Sequence, residues 1–300
     1  MILITSFNDN SFIRNRLALD IWNSMDTSHI KIKTYSAVVY LNGKYWGLYT
    51  ACEMVNANLM EEHEPDRDGN LYKGRSHVAN FFLKDNPHLG FEKEEGYPVN
   101  GDAGAYADMD ELVNFISTTE PDDFIATIDS ILNQREYEDW WMYVLFMTAS
   151  DSCEKNAYHH HDPGNGVWRY IPWDFNSSFG QNYLTYRVPW SFLPNYLNLN
   201  NIFKRFMELD AIRIPIRARF FDLLSPGNAL DIDRILLKID EYYEEIHDAA
   251  VKSEEKWREK YRNSSPWKSR TDFTTFKEEI QYIKNWLTEH HSLLLDEYNR

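Results

Sequence analysis

A tight hairpin early in the chain constrains the fold more than any other local pattern. Residues 34–41 and 45–52 are rich in β-branched and aromatic side chains, which favour strands. Between them, Asn42-Gly43 supplies the positive φ angles that a two-residue turn needs. Residues 1–4 read as a further strand that should have neighbours upstream, as in a domain cut from a longer protein. The sequence therefore predicts strand pairing near its start and excludes an all-helical fold.

Helical periodicity dominates much of the remaining chain. The segment before Asp151 is apolar enough to be a buried central helix. The predicted helices cover residues 11–25 with Asn10 or Ser11 as cap, about 54–63, 109–117, 122–132, 136–147, and two amphipathic stretches around 232–246 and 276–287.

A second hairpin is predicted from residues 157–161 and 167–172, which flank a turn rich in Asp, Pro, Gly and Asn. Residues 76–107 have weak periodicity and many Gly, Asn, Asp and Pro residues, so we expect an irregular excursion that serves as a lid or substrate loop. The domain boundary is placed near its end. Strands and helices in this order predict an α+β fold.

The charge balance narrows the classes of partner. With 31 basic and 47 acidic residues the formal net charge is −16, which repels a phosphate backbone and argues against nucleic-acid binding. An acidic surface favours a basic protein partner. No stretch approaches the roughly 20 apolar residues that a membrane span requires.

Cysteine and histidine suggest no metal centre of their own. Cys52 and Cys153 are the two cysteines of the chain, and we expect two buried thiols rather than one disulfide. Residues 159–161 are three consecutive histidines. Neighbouring residues of a strand point to opposite faces, so these three rings should not converge on one zinc ion.

Three polar residues around the second hairpin suggest phosphoryl-transfer chemistry. Asp151 and Asn156 form a D-x-x-x-x-N pattern after the buried helix, and Asp174 follows the hairpin. Protein kinases use this order to orient a substrate hydroxyl and to bind Mg²⁺ through oxygen ligands. Neither of the usual glycine-rich phosphate loops occurs. A conventional kinase is therefore not supported.

Four blocks of the sequence resemble the CotH kinase family (spore-coat protein H-like). The hairpin block and the Pro-Trp-Asp block are the most specific of them. The blocks are Ser11-Phe12-Ile13-Arg14-Asn15-Arg16-Leu17-Ala18, residues 40–49 (YLNGKYWGLY) leading to Glu53, Gly69-Asn70-Leu71-Tyr72-Lys73-Gly74, and Asp151 to Asn156 with Ile171-Pro172-Trp173-Asp174.

The resemblance implies an atypical protein-kinase-like fold with two lobes. A small mixed α/β N-lobe would cover residues 1–107, and a larger, mainly helical C-lobe would cover residues 108–300 and carry the catalytic segment 151–180. Such a protein would bind ATP with Mg²⁺ or Mn²⁺ and move the γ-phosphoryl group to Ser or Thr of a protein acceptor. The family also implies a spore-coat, cell-surface or secreted location.

Carried over by position, the resemblance assigns roles to individual residues. Asp151 resembles the catalytic Asp, and Asn156 and Asp174 resemble the metal ligands. Lys73 is similar to the phosphate-contacting lysine, with Glu53 as its ion-pair partner.

Four further residues are candidates for contact with the nucleotide. Arg14 and Arg16 could clamp phosphate oxygens, and the alternative is a solvated face or a salt bridge to Asp20. Trp168 could stack on adenine or belong to the core. Lys155 could neutralise the transferring phosphate or simply be solvated.

Two other functions remain open at this stage. A catalytically silent surface-binding or adhesion module could use the same fold as a platform. A metal-dependent phosphoester hydrolase would use similar Asp and Asn ligands.

Overall fold

A computed structural model of the chain describes residues 1–63, 66–265 and 267–299. The predicted α+β class is confirmed. The first sheet is antiparallel and contains β1 (Ile2–Thr5), β2 (Thr34–Leu41) and β3 (Lys44–Cys52) in the order β1-β3-β2. Asn42 and Gly43 take φ angles of 51° and 75°, so the predicted β2–β3 hairpin is confirmed.

The second sheet is also antiparallel and supports the candidate site. Its strands are β4 (Asn70–Gly74), β5 (Phe91–Glu95), β6 (Ala157–His161) and β7 (Trp168–Pro172), in the order β5-β4-β6-β7. The predicted β6–β7 hairpin is confirmed. The expectation that residues 76–107 are wholly irregular is wrong, because β5 lies within them and pairs with β4.

The second sheet joins strands from both sides of the predicted boundary. β4 and β5 precede residue 107, whereas β6 and β7 follow it, and β4 pairs directly with β6. The two-lobe division stays a prediction.

The helices agree with the predicted periodicity in most places. They are α1 (Arg14–Met25), α2 (Ala57–Glu62), α3 (Ala107–Thr118), α4 (Pro121–Thr127), α5 (Gln134–Met147), α6 (Asn201–Glu208), α7 (Asp210–Leu224), α8 (Ile232–Arg262) and α9 (Phe276–Tyr298). Within the described ranges, no helix has both the length and the hydropathy to cross a bilayer.

Several helix ends differ from the prediction, among them those of α4 and α1. α4 ends at Thr127, and a short 3₁₀ turn follows it. α1 begins at Arg14 with Ile13 at the cap position and no side-chain cap bond there, so the predicted cap at Asn10 or Ser11 is wrong. The Asp9 carboxylate instead accepts hydrogen bonds from the backbone N–H groups of Ser11 and Arg14, at 2.9 and 3.0 Å.

Two clusters of apolar side chains form the core. The larger is built around α5, where Trp140, Tyr143 and Phe146 are fully buried. The smaller includes Leu71, Tyr158 and Ile171 of the second sheet together with Cys52 of the first. Cys52 and Cys153 are free, buried thiols, as predicted.

Candidate functional site

The buried helix α5 delivers the chain to Asp151. Thr148 ends the helix in the left-handed conformation, and residues 150–152 form a 3₁₀ turn. Trp140 Nε1 donates a hydrogen bond to Ser152 O at 2.9 Å, which ties this turn to the core. The Asp151 side chain keeps 11% of its surface exposed. A rigid support thus presents one carboxylate at the surface.

Asn156 lies against Asp151 and is held by its own backbone. Its Nδ2 donates to Asp151 Oδ2 at 3.2 Å and to Asp151 O at 3.3 Å. Among the described residues no donor bonds to the amide oxygen, so that oxygen can bind a cation. Asn156 N donates to Gly74 O at 3.2 Å, and Asn156 O accepts from Trp173 N at 3.1 Å. Asn156 therefore connects the last residue of β4 with the residue that follows β7.

Gly74 permits this close approach. A Cβ atom built on it would lie 2.5 Å from Glu154 O and 3.2 Å from the Cα atom of Lys155. Any side chain at this position would therefore push the 151–156 loop away from β4.

Asp174 follows β7 and lies beside the same loop. Its φ angle is +56°, and Ser152 Oγ donates to its backbone oxygen at 3.4 Å. Burial and the charge of Asp151 raise the pKa of Asp174, and Lys73, the backbone N–H of Asn176 and Lys155 oppose the rise. Within the described residues no cation lies within ion-pair distance of its carboxylate.

Lys73 projects from β4 toward this cluster. Its Nζ lies 4.8 Å from the ring centre of Tyr158, its partner on β6, and 5.6 Å from the ring centre of Trp173. Burial and the nearby Arg75 lower the pKa of Lys73, and the charges of Glu94, Asp174 and Glu92 oppose the decrease. The two aromatic faces hold the ammonium group without neutralising it.

Lys155 completes the group of charged side chains. Its Nζ lies 2.8 Å from Asp151 Oδ1, and 26% of its side-chain surface is exposed. Lys155 is thus ion-paired as well as partly exposed, and its contact with a phosphate stays a prediction.

Arg14 does not reach the site as a phosphate clamp. Its side chain is fully buried and makes ion pairs with Asp9 and Glu279, each at 2.6 Å. Its Nε donates to Ser178 O at 3.0 Å. The predicted phosphate contact is wrong because these partners occupy the buried guanidinium group.

The Arg16 guanidinium group also binds residues outside the candidate site. It pairs with Glu245 at 2.8 Å and donates to Ser36 Oγ at 2.9 Å, and its guanidinium carbon lies 4.1 Å from the ring centre of Tyr242. The alternative pairing with Asp20 is not formed, since Tyr242 Oη donates to Asp20.

The predicted ion pair between Glu53 and Lys73 is wrong. Glu53 Oε2 accepts from the backbone N–H of Lys33 at 2.7 Å, and Glu53 Oε1 lies 3.6 Å from Lys33 Nζ. The Glu53 carboxylate therefore contacts Lys33, the residue directly before β2, instead of Lys73.

Trp168 belongs to the core, so the adenine-stacking hypothesis is wrong. The side chain is 3% exposed, and its ring stacks on His161 at 4.5 Å. Its backbone oxygen accepts from Asn133 N at 2.8 Å. Trp168 thereby links β7 to the start of α5.

The sequence reasoning missed two polar groups beside Asp151. His77 Nδ1 lies 3.3 Å from Glu154 Oε2, and His77 Nε2 lies 3.9 Å from Asp151 Oδ1. Glu154 is 3% exposed, and burial raises its pKa to about 7. No motif marked His77, because the long excursion after β4 brings it to the site.

Asn15 is a third missed residue. Its Oδ1 accepts a hydrogen bond from Phe175 N at 2.6 Å, directly after Asp174. Asn15 lies between Arg14 and Arg16 in the first family block, and that position is the sequence signal for it.

The three histidines of β6 have separate partners, as strand alternation predicts. His159 Nδ1 lies 3.0 Å from Tyr137 Oη, His160 Nε2 lies 3.0 Å from Asp66 O, and His161 Nδ1 lies 2.8 Å from Asp108 Oδ2. Each ring is therefore engaged in its own local contact.

The cluster fits a hard divalent cation. The Asp174 carboxylate is half-buried and makes no direct ion pair with a described residue, and the described residues place no hydrogen-bond donor on the Asn156 amide oxygen. In the described ranges no three His, Cys, Asp or Glu residues are placed to hold a metal. Mg²⁺ and Mn²⁺ commonly use one or two carboxylates and complete their shell with phosphate and water oxygens. These residues therefore suit a cation that arrives with a nucleotide.

Comparison with known proteins agrees with the sequence resemblance. The family model described as CotH kinase protein matches residues 1–294. The inner spore coat protein H of Bacillus subtilis (strain 168) is 24% identical over 188 residues, which cover 60% of this chain and 50% of that protein. The chain spans about half the length of the curated relative it matches.

Proposed function

Because this chain belongs to the CotH kinase family, we propose that it is an atypical, two-lobed protein kinase that transfers the γ-phosphoryl group of ATP to Ser or Thr of a protein. The observation that carries the proposal is the convergence of Asp151, Asn156 and Asp174 with two lysines at one end of the second sheet. Phosphoryl transfer requires mainly positioning and charge stabilisation, and these groups supply both.

Asn156 and Asp174 are the proposed metal ligands. When bound, Mg²⁺ or Mn²⁺ would offset the negative charge of the phosphates. The hydrogen bonds from Asn156 Nδ2 to Asp151 fix the orientation of the amide. Its oxygen is then the available donor atom.

Lys73 and Lys155 are the proposed phosphate-binding cations. The Lys73 ammonium rests on two aromatic rings and has no ion-pair partner among the described residues. Lys155 pairs with Asp151. An incoming phosphate would compete for Lys155 and release a carboxylate oxygen of Asp151.

Asp151 is the proposed catalytic residue. Its carboxylate would accept the hydrogen bond of the acceptor hydroxyl and orient the hydroxyl oxygen for in-line attack. The anchoring of residues 150–152 by Trp140 limits the motion of this carboxylate.

The acceptor and the location are proposed from the net charge and from the matched relative. A net charge of −16 favours a basic acceptor protein. The name of the relative supports a spore-coat location.

The test is incubation with γ-labelled ATP and Mg²⁺ or Mn²⁺, with and without a basic, Ser-rich protein. We expect label on protein with the parent, and none with Asp151→Asn or Asp174→Asn. Asp240→Asn is the matched control, because Asp240 is a carboxylate that pairs with Lys284 on an exposed surface.

The other outcomes identify the competing functions. Metal-dependent release of free phosphate without labelled protein would support a hydrolase. An absence of both label transfer and metal-dependent ATP binding would support a binding module.

A further inference from the structure

The residues on both sides of Asp174 are held by hydrogen bonds. Before it, Trp173 N donates to Asn156 O at 3.1 Å. After it, Phe175 N donates to Asn15 Oδ1 at 2.6 Å. Asp174 itself has a φ angle of +56°, which costs free energy in a residue other than glycine. The flanking bonds therefore stabilise a backbone conformation that the chain would otherwise leave.

The start of α1 is built to hold Asn15 in place. Asp9 accepts hydrogen bonds from Arg14 N and Arg14 Nη1, at 3.0 and 2.6 Å. Arg14 Nε donates to Ser178 O at 3.0 Å, so the same helix end contacts the segment after Asp174 twice. A buried ion-pair network thus fixes the position of the Asn15 side chain relative to Phe175.

We infer that Asn15 is a positioning residue for cation binding, because its amide oxygen holds the Phe175 N–H group and thereby directs the Asp174 carboxylate toward Asp151 and Asn156. This inference rests on the proposed function, since it takes Asp174 as a metal ligand. In this sequence block, Asn15 rather than Arg14 or Arg16 would then be the residue that acts on the candidate site. Groups that orient metal ligands commonly affect metal affinity by about 10- to 100-fold.

Asn23 provides a matched control on the same helix. Its Oδ1 accepts from Ile32 N at 3.1 Å and its Nδ2 donates to Ile32 O at 2.9 Å. It therefore makes the same kind of side-chain contact with a backbone N–H group. Its partner, however, is a loop residue outside the 151–178 segment.

The experiment measures binding of a fluorescent ATP analogue over a series of Mn²⁺ concentrations, and amide hydrogen exchange at Phe175. The variants are Asn15→Leu, Asn15→Asp, Asn23→Leu and Asp174→Asn. For Asn15→Leu we expect a Mn²⁺ requirement at least about tenfold higher and faster exchange at Phe175. Asn15→Asp keeps an acceptor oxygen, so it should retain most of the parent's Mn²⁺ affinity and most of its protection from exchange at Phe175. Asn23→Leu should lower stability without changing the Mn²⁺ requirement.

The outcomes separate this inference from the proposed function. If Asp174→Asn abolishes Mn²⁺-dependent binding while Asn15→Leu matches the parent, the positioning role is wrong and the kinase proposal stands. If Asn23→Leu and Asn15→Leu raise the Mn²⁺ requirement equally, Asn15 is only structural. If Asp174→Asn has no effect, the metal assignment fails, and the role of Asn15 fails with it.

Discussion

Lys155 Nζ lies 2.8 Å from Asp151 Oδ1, on the loop that carries both residues. The pair joins the proposed catalytic carboxylate to a proposed phosphate-binding lysine. Each partner therefore restricts the motion of the other.

Replacement of Lys155 tests this relationship. We expect Lys155→Met to lower the rate of label transfer about a hundredfold, because a cation near the transferring group is lost. The stability should change little, since the pair is partly exposed. The measurement is the initial rate at saturating ATP, with Lys204→Met as control, because Lys204 pairs with Glu208 far along the chain on an exposed helix face. Equal rates for the two variants would contradict the role.

Arg14 and Arg16 should differ in their contribution to stability. Arg14→Ala leaves the buried Asp9 without its counter-ion and leaves Glu279 with Arg187 alone, and we expect a loss of about 3–5 kcal/mol in the free energy of unfolding. Arg16→Ala removes a pair whose Glu245 side chain is 47% exposed, so we expect about 1 kcal/mol or less. Denaturant unfolding of both variants measures the difference. Similar losses for the two variants would mean that the buried ion pairs of Arg14 contribute no more to stability than the exposed pair of Arg16.

Glu53 and Lys73 should behave independently. We expect Lys73→Met to raise the KM for ATP about tenfold or more, because a phosphate-binding cation is removed. Glu53→Gln should leave that KM unchanged, since its carboxylate contacts Lys33. Steady-state kinetics at varied ATP concentration test both. An equal increase in the KM for ATP with Glu53→Gln would instead support the Glu53–Lys73 ion pair expected from the sequence.

Stability should fall on mild acidification through the buried histidines. Burial lowers the pKa of His159 to about 3 and that of His160 to about 4, whereas an unfolded histidine titrates near 6.5. The unfolded chain therefore binds protons first, and stability is complete above about pH 6.5 and decreases below it. For His159 the loss at pH 5 is roughly 2 kcal/mol.

Denaturant unfolding at pH 7.5 and pH 5 measures this loss. His159→Gln can still hydrogen-bond Tyr137 and carries no titrating ring, so its stability should differ less between the two pH values. His247→Gln, on the exposed part of α8, should retain the full pH dependence. An unchanged difference in His159→Gln would show that the acid sensitivity arises elsewhere.

Local features could be predicted from the sequence because they depend on neighbouring residues. The Asn42-Gly43 turn, the buried helix before Asp151 and the alternation of the three histidines are of this kind. Arg14 shows the limit of such reasoning. Its counter-ion Glu279 is 265 positions away, so no local pattern could distinguish a buried network from a phosphate clamp. Strand β5 was missed because a five-residue strand within a polar excursion leaves little periodicity.

The pairing of Asn70 with His161 in the second sheet also bears on how the chain matures during synthesis. About eighty residues separate the two strands, so β4 can pair with β6 only after β6 has left the ribosome. Contacts of such long sequence separation form late and slow folding. A nascent chain that ended before β7 would carry Lys73 but neither Trp173 nor Asp174. The proposed phosphate-binding lysine would therefore be synthesised well before the proposed metal ligand, and a chain truncated before β7 would lack that ligand.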